Sequence, residues 1–337
     1  MADVQLQFIG FHNAIRQADD ETKRAKREML VDELREKLPK TRPAFKEFNQ
    51  GSYAMHTNIF PIHGDDDLDV GLRFQDTGEA IGCPVALKED IKAALTYANR
   101  TVIVRRPCVT VQYLKNGDPD YHIDLAVYAL NEGLQSHLAL AVGKSGSPIA
   151  NRHWSEQDPL GVITSIKESF EKDSEERRQF RRCIRFLKRW RDERYNAEDG
   201  PISIALTVSA KRWFSPNLDL FNGAPNDHAA MRDWVSRMLA EFCVPIGSVS
   251  QQPRLRIEHI GYPYTDLLES MSDAAHERFR SKLSSLLSAL DDAAQDVDPH
   301  RACVTLHAEF GRDFPIPDKS DTAKKVIPAV VSTGASA

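Results

Sequence analysis

The run GDDDLDVGLRF, Gly64 to Phe74, constrains this 337-residue sequence more than any other. Four aspartates, Asp65, Asp66, Asp67 and Asp69, occupy five positions at the entry to a segment with strand character. In an extended chain alternate side chains share a face, so Asp67 and Asp69 point one way while Leu68 and Val70 enter a core. Two carboxylates fixed side by side on a strand are unfavourable without a cation. One or two Mg2+ ions reverse that, since magnesium takes hard oxygen ligands and completes its shell with substrate phosphates. Asp124, inside HIDLAVY, is the candidate third carboxylate, because a charge in a strand otherwise built for burial needs a reason. Simpler readings stand beside this one: a solvated acidic turn after Gly64, or an Asp124 that caps or pairs with a buried arginine. A calcium loop starting at Asp65 is excluded, because Val70 and Asp76 stand where it needs Gly and Glu.

Upstream lies QGSY, Gln50 to Tyr53. Gly51 lets backbone approach a ligand closely, and Ser52 at the start of a helix would turn its amide and hydroxyl toward a phosphate. Gly-Ser, then Asp-x-Asp, then a strand Asp, together describe a triphosphate-and-metal site for two-metal phosphoryl transfer.

The rest of the chain reads as mixed α/β first and mostly helical later. Asn13 to Leu38 is charged and helix-favouring, ended by Pro39 and Pro43. Strand character rises over Asp67–Phe74 and Thr101–Leu114, and an Asn-Gly turn joins Cys108–Leu114 to Tyr121–Leu130 as an antiparallel hairpin. Apolar spacing predicts helices over Ile163–Phe170, Glu175–Tyr195, Ile202–Phe214, Asp227–Phe242 and Thr265–Gln295. A net charge of −5 argues against a general nucleic-acid coat. No apolar run is long enough to span a bilayer, and the N-terminus has no signal-peptide core. Five scattered cysteines without a C-x-x-C pair read as reduced thiols of a cytoplasmic protein and give no zinc-ligand spacing.

QGSY, DLDVG (Asp67–Gly71), IDLAVYAL (Ile123–Leu130), FLKRWRD (Phe186–Asp192), ISIALTV (Ile202–Val208) and FGRDFP (Phe310–Pro315) resemble the core motifs of the CD-NTases, the cyclic GMP-AMP synthase/DncV-like nucleotidyltransferases of bacterial anti-phage signalling. Those enzymes belong to the polymerase-β-like superfamily, and the resemblance covers most of Gln50 to Pro315. It implies an α+β fold: a polymerase-β-like nucleotidyltransferase core with a mixed sheet, and a helical C-terminal domain closing the nucleotide cleft. The expected division is 1–160 for the core with an N-terminal helix bracing both lobes, 161–314 for the helical domain and 315–337 for a flexible tail. Carried over by position, Asp67, Asp69 and Asp124 are the catalytic and metal-binding carboxylates, and Gly51 and Ser52 meet the triphosphate. Lys188 and Ser203 match phosphate-holding residues of the helical domain, and Gln50 lines the nucleotide site. The implied cofactor is two Mg2+ ions, with Mn2+ as a substitute. The implied substrates are ATP, GTP or both, with pyrimidine triphosphates as further candidates, and no obligatory nucleic acid or membrane. Two segments depart from the family pattern. His56-Thr57 stands where many relatives have Gly-Thr, and IEHIGYPYTDLLE (Ile257–Glu269) differs from the usual late motif, which leaves the choice of bases open.

In the basic segment EERRQFRRCIRFLKRWRDERY, Phe180, Cys183, Ile184, Leu187 and Trp190 form the apolar face, and most arginines, Arg177, Arg178 and Arg194 among them, read as solvated. Tyr53, Tyr113, Tyr128, Trp154 and Trp213 are candidates for stacking on a base, though core positions suit most of them. The terminal VVSTGASA is compatible with joining of Ala337 to a target by a ubiquitin-like ligation machinery, as in some systems of the family, and equally with a frayed end. The expected reaction is synthesis of a cyclic di- or trinucleotide. A linear oligoadenylate synthase or terminal nucleotidyltransferase would carry the same triad, and a silent nucleotide-binding sensor is the non-enzymatic rival.

Overall fold

The computed structural model describes residues 2–17, 21–62, 66–97, 100–115, 118–131, 137–196, 200–246 and 250–319. Asp65 and Ala337 lie outside them, as does most of the tail expected to be flexible.

Two N-terminal helices, α1 (Gln5–Ile15) and α2 (Glu21–Lys37), stand where the sequence suggested one. They serve different cores. Phe8, Phe11 and Ile15 of α1 recur at helical spacing and are buried with the C-terminal helices. Leu30, Val31, Leu34 and Leu38 bury α2 or its end against the sheet, where Arg100 reaches Glu33 at 2.6 Å. The expected single brace is therefore replaced by one helix per lobe. The Phe8/Phe11 pair, upstream of the charged stretch, was the missed signal.

The sheet begins with β1 (Phe45–Asn49), which leads into the short α3 (Gly51–Ala54) and then β2 (Asp66–Thr77). Next come α4 (Gly78–Ile81), α5 (Pro84–Leu95), β3 (Arg100–Val104), β4 (Val109–Lys115) and β5 (Asp118–Leu130). Then β6 (Leu138–Val142), paired with the end of β5, and β7 (His153–Gln157), paired with β6, complete seven strands among the described residues. The strand character of residues 101–114 divides into two antiparallel strands, and β4 and β5 pair antiparallel as expected, while the Asn116-Gly117 pair expected to turn between them lies outside the described residues. The sheet is mixed because β2 and β5 are parallel, in the order β1-β2-β5-β4-β3. That parallel register sets Asp67 opposite His122 and Asp69 opposite Asp124. Alternation then buries Leu68, Val70, Ile123 and Leu125 on the other face, against α2 and α5.

The helical lobe contains α6 (Pro159–Lys167), α7 (Glu175–Arg194), α8 (Ser203–Trp213), α9 (Asp227–Ala240), α10 (Asp273–Gln295) and α11 (Pro299–Phe310). The helix expected from Thr265 starts eight residues later, where the Ser272 hydroxyl accepts from Ala275 N and caps it. Helix α11 was not foreseen, although Asp298 before Pro299 is an N-cap followed by proline at the first helical position. Phe310 and Phe314 of the late FGRDFP motif pack on Phe8 and Phe11, with centroids 5.2 to 6.1 Å apart. Among the described residues no helix is long and apolar enough to cross a membrane.

The basic helix α7 corrects the sequence expectation. It is buried nearly all round: Arg182, Arg185, Lys188 and Arg189 are buried together with the apolar face. Arg182 holds Asp227 through two contacts of 2.7 and 2.8 Å, and a third links it to Glu175 at 2.8 Å. Arg178 is the solvated residue expected; Arg177 instead donates to Phe170 O, and Arg194 pairs with Glu309.

Candidate active site

The site is assembled where α3 meets β2. Gly51 has φ +62°, a left-handed conformation, and a Cβ there would lie 1.8 Å from Asp69 Oδ2. Only glycine lets this turn close onto the strand. Gln50 N donates to Asp69 O at 3.1 Å, and the Gln50 side-chain amide meets the Tyr128 hydroxyl at 2.8 Å. The Gly-Ser turn is thus tied to both acidic strands.

Asp67 and Asp69 share one face of β2, as alternation predicted, and the parallel register adds Asp124 of β5 to it. Asp69 and Asp124 are half-buried, and Asp67 is exposed. Burial, then the charges of Asp124 and Asp67, push the Asp69 carboxyl up to about 6. Asp124 Oδ1 accepts from Thr110 Oγ1 at 2.6 Å, and Thr110 also receives Arg105 Nε at 2.9 Å. His122 stands among the acids, its Nε2 3.0 Å from Asp67 Oδ1 and 3.9 Å from Asp124 Oδ2. Among the described residues no three His, Cys, Asp or Glu side chains are already gathered as a metal cage; Asp67 is turned to His122. The donor set nonetheless fits a hard divalent cation. It offers three carboxylates on a shared face, and the mutual repulsion felt by Asp69 is what such an ion relieves.

A cleft of about 500 Å3 opens over this face. Gln50, Gly51, Ser52, Asp67, Asp69 and Tyr128 line it from the sheet lobe, and Lys188 and Ser203 line it from the helical lobe. Asp124 stands behind Asp69 on the adjoining strand rather than in the wall. Lys188 is fully enclosed, donating to Thr57 O at 3.1 Å and Thr57 Oγ1 at 3.2 Å. Burial and the charges of Arg185 and Arg191 bring its ammonium down to about 7. Its neighbours on α7 grip the same segment. Arg185 donates to His56 O and Asn58 O, and Arg189 donates to Phe60 O. The chain that follows the Gly-Ser turn is therefore held by α7 through backbone carbonyls.

Of the five aromatic candidates, Tyr128 reaches the cleft. Tyr113 stacks on Tyr121 at 4.6 Å, Trp154 donates to Gly82 O, and Tyr53 and Trp213 pack against the two cores. Sequence reasoning missed His122 and Thr110. The His-x-Asp spacing in HIDLAVY already places His122 on the face of Asp124, but only the strand register puts it beside Asp67.

Residues 44–128 match the family model for the nucleotidyltransferase domain of cyclic GMP-AMP synthase DncV-like proteins. No curated protein matches the sequence. Among solved structures, the Vibrio cholerae cyclic AMP-GMP synthase DncV superposes with TM-score 0.55 at 18% identity, over 82% of this chain and 70% of that one. Its GTP-bound form gives TM-score 0.57 at 17% identity, over 95% and 82%. The CdnC of E. coli MS115-1 with ATP gives TM-score 0.64 at 16% identity, over 93% of this chain and 99% of that one. Residues 44–128 thus form a nucleotidyltransferase domain of the DncV-like family, carried in a chain with the CD-NTase fold.

Proposed function

We propose that this protein joins nucleoside triphosphates into a cyclic di- or trinucleotide messenger, in bacterial anti-phage (CBASS) signalling in the cytoplasm. The observation that carries the reading is the closure of Gly51 and Ser52 onto Asp69, opposite Lys188 and Ser203 across one nucleotide-sized cleft. Solved relatives hold GTP or ATP, which supports triphosphate substrates.

In this reading Ser52 binds the triphosphate, Lys188 and Ser203 face it from the helical lobe, and Gln50 borders the nucleotide. Asp67 and Asp69 would hold two Mg2+ ions, for which Mn2+ would substitute, and Asp124 would complete the site. When bound, the ions lower the pKa of the attacking hydroxyl and stabilise the leaving pyrophosphate. The ribose hydroxyl of one nucleotide attacks the α-phosphorus of the next. The bond from the α-phosphorus to the bridging oxygen breaks, pyrophosphate departs and the hydroxyl proton is released. A second such step within the linear intermediate closes a dinucleotide ring, and a third would close a trinucleotide.

The test is incubation with labelled ATP, GTP, CTP and UTP plus Mg2+, followed by phosphatase. A phosphatase-resistant product of defined mass supports cyclisation and names the bases. Products whose terminal phosphates are removed point to a linear polymerase, and no product from any mixture leaves an enzyme awaiting its activator or a silent nucleotide-binding sensor.

A further inference from the structure

A second concavity, of about 450 Å3, adjoins the nucleotide cleft, with Ile163 in the wall of both. It lies between the end of α6, residues 168–174 and the first turns of α7. Five cations line it, Lys167, Lys172, Arg177, Arg178 and Arg181, against the two acids Glu168 and Asp173. Two of the five are engaged: Arg178 pairs with Glu175 at 2.6 Å, and Arg177 donates to Phe170 O at 2.8 Å. Among the described residues Lys167, Lys172 and Arg181 form no ion pair. Arg181 is half-buried, and burial together with the charge of Arg177 lowers its pKa.

The positive charge continues beneath the cleft floor. Arg185, one turn along α7 from Arg181, is buried, and among the described residues its guanidinium meets the carbonyls of His56 and Asn58 and the ring of His12. Burial and the charges of Arg16, Arg181 and Arg182 bring Arg185 down to about 9. Burial and the charges of Arg185, Arg182 and Arg16 likewise hold His12 neutral, at about 4. A buried cation without a counter-charge is unfavourable, and an anion seated over Arg181 would offset it.

We propose that this second cleft binds a small ligand carrying two or more phosphate groups, and that its occupancy changes triphosphate binding in the neighbouring cleft. Guanidinium forks and ammonium groups at the end of a concavity suit phosphate oxygens. A duplex would need a broad basic face, whereas this site is a concavity of nucleotide size that includes two acids. The coupling route is one residue long. His56 lines the second cleft, with φ +56° and its carbonyl held by Arg185. The next residue, Thr57, supplies both oxygens that fix Lys188 in the wall of the nucleotide cleft. Such a coupling is reciprocal: whatever the effector does to triphosphate affinity, the triphosphate does to the effector.

The coupling rests on the triphosphate role proposed for the first cleft, but the binding does not, so the two can fail separately. Calorimetric titration of the full chain with inorganic tripolyphosphate, in buffer containing Mg2+, should resolve two sites. Lys167→Glu with Arg181→Glu should remove one, by at least a tenfold loss of affinity, while Ser52→Ala weakens the other. Lys167→Gln with Arg181→Gln, a milder pair, should weaken the same site, and an unchanged thermal midpoint shows that the fold persists. The proposal is overturned if both charge-altered pairs bind tripolyphosphate with wild-type stoichiometry and affinity. It is equally overturned if these variants lose binding of a short DNA duplex but not of tripolyphosphate. Failure of the synthesis assay with two-site binding intact would instead sink the cyclase reading alone.

Discussion

Gly51→Ala is a test of the site whose size follows from geometry. The added Cβ would sit 1.8 Å from Asp69 Oδ2, 2.7 Å from its Cγ and 3.0 Å from its Cβ. To reach even a tight contact of 3.0 Å, the carboxylate oxygen must retreat by about 1.2 Å. The left-handed φ of +62° adds about 1–2 kcal/mol for any residue with a Cβ. Total destabilisation of about 1–3 kcal/mol is expected. The effect on chemistry is larger, because a displacement of about 1 Å at a reacting centre costs about 100-fold in rate. Pyrophosphate release under saturating nucleotide and Mg2+ reads the rate, and denaturant unfolding reads the stability. In an Asp69→Ala background Oδ2 and Cγ are gone, so Gly51→Ala should then cost the backbone strain and the 3.0 Å contact with the Cβ that alanine keeps, and the difference between backgrounds isolates the collision with the carboxylate. Turnover within threefold of wild type, or an identical stability cost in both backgrounds, would refute the reasoning.

Asp67→Asn and Asp69→Asn should each abolish product formation while far-UV circular dichroism stays unchanged; near-full activity in either would remove that residue from the metal set. Asp69→Asn should also raise the unfolding midpoint in metal-free buffer at pH 8, since it removes the charge that burial, Asp124 and Asp67 oppose, and Mg2+ should then stabilise the wild type but not the variant. Thr110→Val deletes the hydroxyl that donates to Asp124 at 2.6 Å, a charge-assisted bond contributing about 1.5–3 kcal/mol, and should lower kcat about tenfold or more. Thr110→Ser should restore it, and equal losses in both would show that the methyl group matters instead. Lys188, held near 7 against an ordinary 10.5, binds fewer protons folded than unfolded between those values. Stability conferred at this position therefore rises as pH climbs from about 7 to 10.5, so wild type should gain on Lys188→Met across that window in urea titrations. A gap that is constant with pH would contradict the burial of its charge.

Much of the site was legible because its signals are local. Alternation on one strand decides that Asp67 and Asp69 face together, whatever the rest of the chain does. The β4–β5 hairpin, the apolar spacing of α8 and α9, and the Gly-Ser turn before an acidic strand are equally matters of neighbouring residues. The break between α1 and α2 was missed because charge density hid the aromatic spacing of Phe8 and Phe11, which belong to a different core. The start of α10 was misplaced because apolar positions run on into a loop that Asp266 organises by accepting from Ile257 N and Leu268 N.

What the sequence determined by itself is which side chains share a face, because helix and strand periods are properties of a short stretch of backbone. What only the tertiary structure decided is which faces meet. The parallel register of β2 and β5 places His122 between Asp67 and Asp124. The burial of α7 turns its cations from solvated charges into fixed partners. Arg182 finds Asp227, 45 residues away, and Arg185, Lys188 and Arg189 find the backbone of residues 56–60, about 130 residues away. A carbonyl is present at every position and leaves no mark in the sequence. A basic residue that will be buried against carbonyls therefore looks the same, residue by residue, as one that will face water.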